Sequence, residues 1–373
     1  MNIWMTLQKA LDLFSEKLAV IDGKRSFTYQ QIGERVAGLA PFLQNQGIQA
    51  RDRVSILEVN SHSFLEAYYA AAGLGAILNP LNYRLAAKEI AFILNDAGSR
   101  WLIAGKQFAP VVKGVLKEDT PLEGILWIGA GPEKSAAIAS HNYENAIGAH
   151  TGAFESVSVD ENQVAHLYYT SGTTGRPKGV MLTHKNVCCH ALGTIAELKL
   201  VDTDIWGHIA PMFHLADAWA TFAITWVGGR HVMVGQFEAE AVMAAIEKEK
   251  ITLSNLIPTM LNLMIKHPRV KDYDFSSLRV ILSGGAPIAP EVVRLIMEAF
   301  GCDYIQTYGM TETSPYLTFS ILKEHLQRLA PDDQLKYKSK TGRPFIGVDL
   351  KVVDDNGAPI AADGQQVGEI WVQ

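Results

Sequence analysis

The chain has 373 residues, long enough for two or more core-bearing units. Its 48% hydrophobic and 19% charged residues are the balance of an ordinary globular protein rather than a disordered one. A net charge of −6 without blocks of like charge excludes a nucleic-acid surface, which needs a basic patch.

In chain order, Thr28-Tyr29-Gln30-Gln31 reads as a capping box that opens a helix. Ile32, Val36, Leu39 and Leu43 continue it at helical spacing, and Gly47 ends it. A strand is predicted over 53–59, and Phe64, Tyr68 and Ala71 mark one face of a following helix. Further strands are predicted over 75–79 and 101–104, with a helix marked by Ile90, Ile93 and Leu94 between them. Strands alternating with helices at this spacing imply βαβ units and mostly parallel sheets.

The stretch 129–162 is less patterned and reads as a surface connection between two sub-domains. Beyond it, strands are predicted over 164–169 and 180–182, a helix over 184–198, a strand over 228–234 and a helix over 238–248. A short strand over 280–282 precedes a helix that Pro290 starts and Gly301 ends. From Gly342 onward a hairpin-rich β segment is expected, with strands over 348–353 and 367–372. The apolar run Gly368 to Gln373 reads as a core strand at which the chain stops.

The three cysteines, Cys188, Cys189 and Cys302, make no disulfide framework, and a reducing cytoplasm suits them. The first residues lack a secretory pattern, and no run of about 18 apolar residues spans a membrane. Peripheral membrane contact and a homodimer both stay open.

The most informative stretch is Tyr169-Thr170-Ser171-Gly172-Thr173-Thr174-Gly175-Arg176-Pro177-Lys178-Gly179. Glycines let backbone amides approach a ligand, hydroxyls and amides form an anion nest, and Lys178 adds a mobile positive charge. Together they suit a polyphosphate. The Walker pattern does not fit, because Gly179 rather than Ser or Thr follows the lysine. The bland alternative is a Gly/Thr-rich surface loop without a ligand.

Two further stretches carry chemistry. Ser283-Gly284-Gly285-Ala286-Pro287 joins a strand to a helix, and its small residues let a flat ring approach the backbone. Gln306-Thr307-Tyr308-Gly309-Met310-Thr311-Glu312-Thr313 offers an aromatic face, a hydroxyl and a carboxylate. Tyr308 suits stacking on a purine, Thr311 a phosphate oxygen, and Glu312 a Mg²⁺ ion held together with substrate phosphates.

The stretch Thr170 to Gly179 resembles the signature of the adenylate-forming superfamily, of acyl-CoA synthetase type. Its members include acyl- and aryl-CoA synthetases, luciferases and the adenylation domains of peptide synthetases. The resemblance implies an α/β fold: two αβ-sheet sub-domains, 1–160 and 161–340, with the start of a β sub-domain at 341–373. It also implies that the family's small C-terminal domain is missing from this chain, and that the fragment binds nucleotide weakly and adenylates poorly without it. The activity implied is ATP-dependent formation of an acyl-adenylate, followed by transfer to coenzyme A, with a medium- or long-chain fatty acid favoured. The phosphates fall to Thr170, Ser171, Gly172, Thr173, Thr174, Gly175 and Lys178, and the metal to Thr170 and Glu312. The nucleotide region takes Gly284, Gly285, Ala286, Pro287, Gln306, Thr307, Tyr308, Gly309 and Thr311. Lys178, His214, Thr311 and Glu312 are the catalytic set.

Pro211-Met212-Phe213-His214 matches a third family segment, where the carboxylic acid and the thiol channel meet. His214, Trp219 and Gly309 are assigned to the acid. A glycine common after this segment in relatives is replaced by Leu215-Ala216-Asp217. Amino-acid-activating relatives place an aspartate near here, but Asp217 is out of register with it. An aromatic acid, a carrier-protein thiol as acceptor and a non-catalytic binding module are the alternatives.

Overall fold

Apolar strands and amphipathic helices alternate along the chain, and that alternation assembles two large sheets. The structure, a computed structural model, describes residues 1–373 apart from 132–137, 151, 153, 172–174 and 362. The strands are β1 (Leu18–Asp22), β2 (Arg25–Thr28), β3 (Arg53–Leu57), β4 (Ile77–Pro80), β5 (Ser99–Gly105) and β6 (Gly124–Ile128). They continue with β7 (Ala139–Asn142), β8 (Val164–Thr170), β9 (Lys178–Thr183), β10 (Ile205–His208), β11 (Arg230–Met233) and β12 (Leu253–Asn255). The last are β13 (Val280–Ser283), β14 (Asp303–Gly309), β15 (Tyr316–Phe319), β16 (Arg343–Pro344), β17 (Leu350–Val353) and β18 (Glu369–Val372).

Among the described residues, a seven-stranded sheet runs β7-β6-β5-β3-β4-β8-β9 and a nine-stranded sheet runs β16-β15-β14-β13-β12-β10-β11-β1-β2. The central pairings of both are parallel. Antiparallel pairs close the edges, among them the β8–β9 hairpin. The expected parallel α/β architecture is therefore present.

The division at residue 160 is not how the sheets divide. β1 and β2, near the N-terminus, extend the nine-stranded sheet beside β11. β8 and β9, past residue 160, belong to the seven-stranded sheet beside β4. The first helix, Trp4–Phe14, packs on helix Leu215–Val227, and the Tyr29 hydroxyl donates to the Gly229 carbonyl at 2.5 Å. Such pairings between residues some 200 positions apart leave no mark in local periodicity.

One other expectation changes. The stretch 129–162 holds the edge strand β7 and helix Tyr143–Gly148. Tyr143 is buried there and donates to the Glu66 carboxylate at 2.8 Å. β17 and β18 pair antiparallel as expected, and in this chain Ile370, Trp371 and Val372 of β18 are exposed.

Local signals produced the helices as expected. Thr28 and Gln31 close a reciprocal capping box at helix Tyr29–Asn45, and Thr183 and Asn186 do so at helix His184–Leu198. Each satisfies amide groups that a helix start leaves unpaired. One core cluster spans both sheets through helix His62–Leu74, every residue of which is buried, and helix Leu215–Val227. Tyr68 and His166 meet Phe222 there, with ring centroids at 5.4 and 5.2 Å.

Burial lowers the pKa of both His166 and His190 to about 3. The His166 ring nitrogens and His190 Nε2 have no hydrogen-bond partner among the described residues. A neutral folded ring against an unfolded one that titrates near 6.5 makes folding more favourable above that pH. That advantage is lost as the pH falls toward the folded pKa. Glu58, raised to about 7 by desolvation, pulls the other way as a single group. Denaturant melts should therefore show stability falling from about pH 6.5 to about pH 4.5, by on the order of 2 to 3 kcal/mol for each buried ring. His166→Phe should flatten that slope.

Candidate active site

The β8–β9 hairpin pairs Thr170 with Lys178 in register, and the polyphosphate-type turn lies between them. Gly172, Thr173 and Thr174 fall outside the described residues. Thr170, Ser171 and Pro177 line a cavity of about 330 Å³, closed on its other sides by Pro80, Asn82 and Leu85 after β4 and by Phe213, His214, Leu215 and Thr311. A second cavity of about 270 Å³ adjoins the first, and His214, Leu215 and Thr311 line both. Its walls include Pro211, Gly284, Gly285, Thr307 and Gly309. β9 packs against the short turn Thr311–Thr313. Turns separated by more than a hundred residues thus share one cleft at the carboxyl ends of parallel strands, the usual ligand position in open α/β sheets.

Lys178 and Glu312 are exposed beside this cleft, and among the described residues neither has an ion-pair partner. Tyr308 is half-buried at the end of β14. One carboxylate, Glu312, and one hydroxyl, Thr170, suit a Mg²⁺ ion that arrives on a nucleotide and draws its remaining ligands from phosphate and water. No cluster of three acidic, His or Cys side chains fit to hold a metal by itself occurs among the described residues.

The strand-to-helix turn is built from behind. The Gln306 side-chain amide donates to the Ala286 carbonyl at 2.9 Å, and the Thr307 hydroxyl donates to the Ser283 carbonyl at 3.1 Å. Both residues are buried. Gln306 therefore supports the turn that carries Ala286 and Pro287, and Thr307 does so while also reaching the second cavity. Gly285 adopts φ +79°, and a Cβ at Gly309 would run into the Pro315 carbonyl.

His214 occupies the N-cap position of helix Leu215–Val227 without a side-chain capping bond, and it is exposed. Packed protein around the ring lowers its pKa to about 4 by desolvation, with the nearby Arg84 charge adding to it. At neutral pH the ring is an uncharged donor and acceptor. Trp219 does not line these two cavities. It is buried, and its indole N–H donates to the Tyr316 hydroxyl at 2.9 Å, so it backs a residue of the second cavity's wall. Pro80, Asn82, Leu85, Asn255 and Tyr316 line the cleft without having been singled out in the sequence. Asn79-Pro80-Leu81-Asn82, a turn signal directly after a strand, is the one available hint among them.

The AMP-binding enzyme family matches residues 7–373. Over 382 aligned residues the chain is 32% identical to the long-chain-fatty-acid–CoA ligase of Thermus thermophilus, covering 100% of this chain and 69% of that protein. It is 31% identical over 355 residues to the feruloyl-CoA synthase of an Amycolatopsis species, covering 95% of this chain and 66% of that one. Among solved structures it is similar to a long-chain-fatty-acid–CoA ligase from Archaeoglobus fulgidus, with a TM-score of 0.87 at 27% identity over 100% of this chain and 74% of that one. The chain spans about two thirds of the length of these curated relatives.

Gly309→Ala should destabilise the fold by on the order of 2 kcal/mol, because a methyl group has no room against the backbone. Gly285→Ala, with open space but positive φ, should cost only about 1 kcal/mol. Chemical denaturation of the two variants measures the difference.

Proposed function

We propose, because this chain belongs to the AMP-binding enzymes, that it activates a carboxylic acid as its acyl-adenylate and passes the acyl group to the thiol of coenzyme A. The observation that carries the reading is the shared cleft: Thr170 and Ser171 from one turn and Thr311 from another line one cavity beside Lys178 and Glu312. A carboxylate oxygen attacks the α-phosphorus of ATP and pyrophosphate leaves. Thr170, Ser171 and Thr311 donate to phosphate oxygens, and Lys178 offsets the charge that develops on the leaving pyrophosphate. Glu312 would hold a Mg²⁺ ion brought with ATP, which would supply charge neutralisation at the phosphates. Neutral His214, between the two cavities, orients the acid without competing as a cation for its carboxylate.

A medium- or long-chain fatty acid is the substrate class we favour. The reading is supported by an open surface concavity of about 570 Å³ with a mainly apolar lining, whose wall shares Tyr316 with the second cavity. Acid-dependent ATP–pyrophosphate exchange tests this across short, medium and long fatty acids and aromatic acids. Exchange should be fastest with medium or long chains. Lys178→Ala and Glu312→Gln should each slow it by roughly a hundredfold. Absence of exchange with every acid would overturn the activity, and a preference for aromatic acids would overturn the substrate class.

A further inference from the structure

Residues 210–214 follow β10 of the nine-stranded sheet and give Phe213 to the first cavity, Ala210 and Pro211 to the second and His214 to both, yet this wall segment is held by a side chain from the loop after β3 of the other sheet. Asn60 lies just beyond β3, before helix His62–Leu74, and is 4% exposed. Its amide nitrogen donates to the carbonyls of His208 at 2.8 Å and Ala210 at 2.9 Å. Its amide oxygen accepts from the Met212 N–H at 2.7 Å. Both N–H bonds and one oxygen lone pair are thus engaged by one short loop. The loop has a second tether: the Tyr68 hydroxyl donates to the Met212 carbonyl at 2.9 Å and lies 2.8 Å from the Tyr168 hydroxyl. Tyr168 sits on β8, inside the hairpin that carries Thr170, and lines the first cavity.

We infer that Asn60, seconded by Tyr68, is a positioning residue: it holds the Ala210-to-His214 wall in register with the β8–β9 hairpin and so fixes how the acid meets the nucleotide. It lines neither cavity. The inference rests on the activation chemistry proposed above, and it names a residue that chemistry does not itself require. Buried loop groups that lose such a partner find another only by moving, since an unpaired buried polar group is costly. The displaced element would be the wall bearing His214. The hairpin keeps its own backbone ladder from Thr170–Lys178 to Val164–Thr183, so the phosphate side should be disturbed less than the acid side.

Asn60→Asp keeps the shape of the side chain and removes both donors, and Tyr68→Phe keeps the ring and removes only the hydroxyl. Acid and ATP dependence of ATP–pyrophosphate exchange should show the KM for the acid rising roughly tenfold or more in Asn60→Asp, with a smaller rise in Tyr68→Phe and little change in the KM for ATP. Hydrogen exchange of ligand-free protein should show residues 209–214 opening faster in both. Thr28→Ala, which removes a distant helix cap, serves as a control that lowers stability without moving either KM. If Asn60→Asp does not fold, Tyr68→Phe decides alone. An active wild type whose acid KM stays put in the folded variants, or shifts equally in Thr28→Ala, overturns the inference while leaving the activity standing. A wild type without exchange overturns the activity and the inference with it.

Discussion

The site depends on two parallel strands from different sheets ending at the same place. β3 and β10 run into loops that meet through Asn60, and the cleft opens where they meet. Neither sheet contains the site alone: the seven-stranded sheet supplies Thr170, Ser171 and Lys178, and the nine-stranded sheet supplies Gly309, Thr311 and Glu312 at the end of β14. Thr170 and Ser171 of one sheet and Thr311 beside the other line one cavity across that junction. One core cluster runs between the sheets across this junction, with helix His62–Leu74 wholly buried in it.

The same junction accounts for Asp217. It lies in the first turn of helix Leu215–Val227, where a carboxylate in the cleft would meet the acid substrate as a like charge. It points the other way. Its oxygens accept from the Trp206 indole at 3.2 Å and pair with His208 Nδ1 at 2.5 Å. His208 Nε2 continues to His231 at 2.9 Å, and His231 to Thr225 at 3.0 Å. All of these side chains are buried, so the carboxyl group sits in a hydrogen-bonded chain rather than at the cavity wall. Asp217 therefore has no free carboxylate for an amino group, which agrees with its register in the sequence.

What could be read from the sequence was what neighbouring residues decide. Helix His184–Leu198 and helix Pro290–Phe300 carry their own caps and stops, and the Thr170-to-Lys178 turn lies between two strands that pair with each other. The partners that distance decides were not legible. Nothing around Leu18 announces that β1 will lie beside β11, and nothing around Val164 announces that β8 will join β4. The cleft followed the same rule: motif residues on turns were found, while Asn255 and Tyr316 reach it only through the tertiary fold. Trp219 looked like a lining residue because an aromatic on an apolar helix face reads the same whether it faces a cavity or a core.

The placement of β1 bears on how the chain assembles as it leaves the ribosome. Residues 18–22 emerge early, but their parallel neighbour, Arg230–Met233, is made more than two hundred residues later. Until then the first strand has only its β2 hairpin partner and an uncovered edge. The seven-stranded sheet can close once β9 is made, whereas the other must wait for β11 before its N-terminal edge is sealed. β1 therefore waits for a neighbour more than two hundred residues away, and long-range closure of this kind is slow to form.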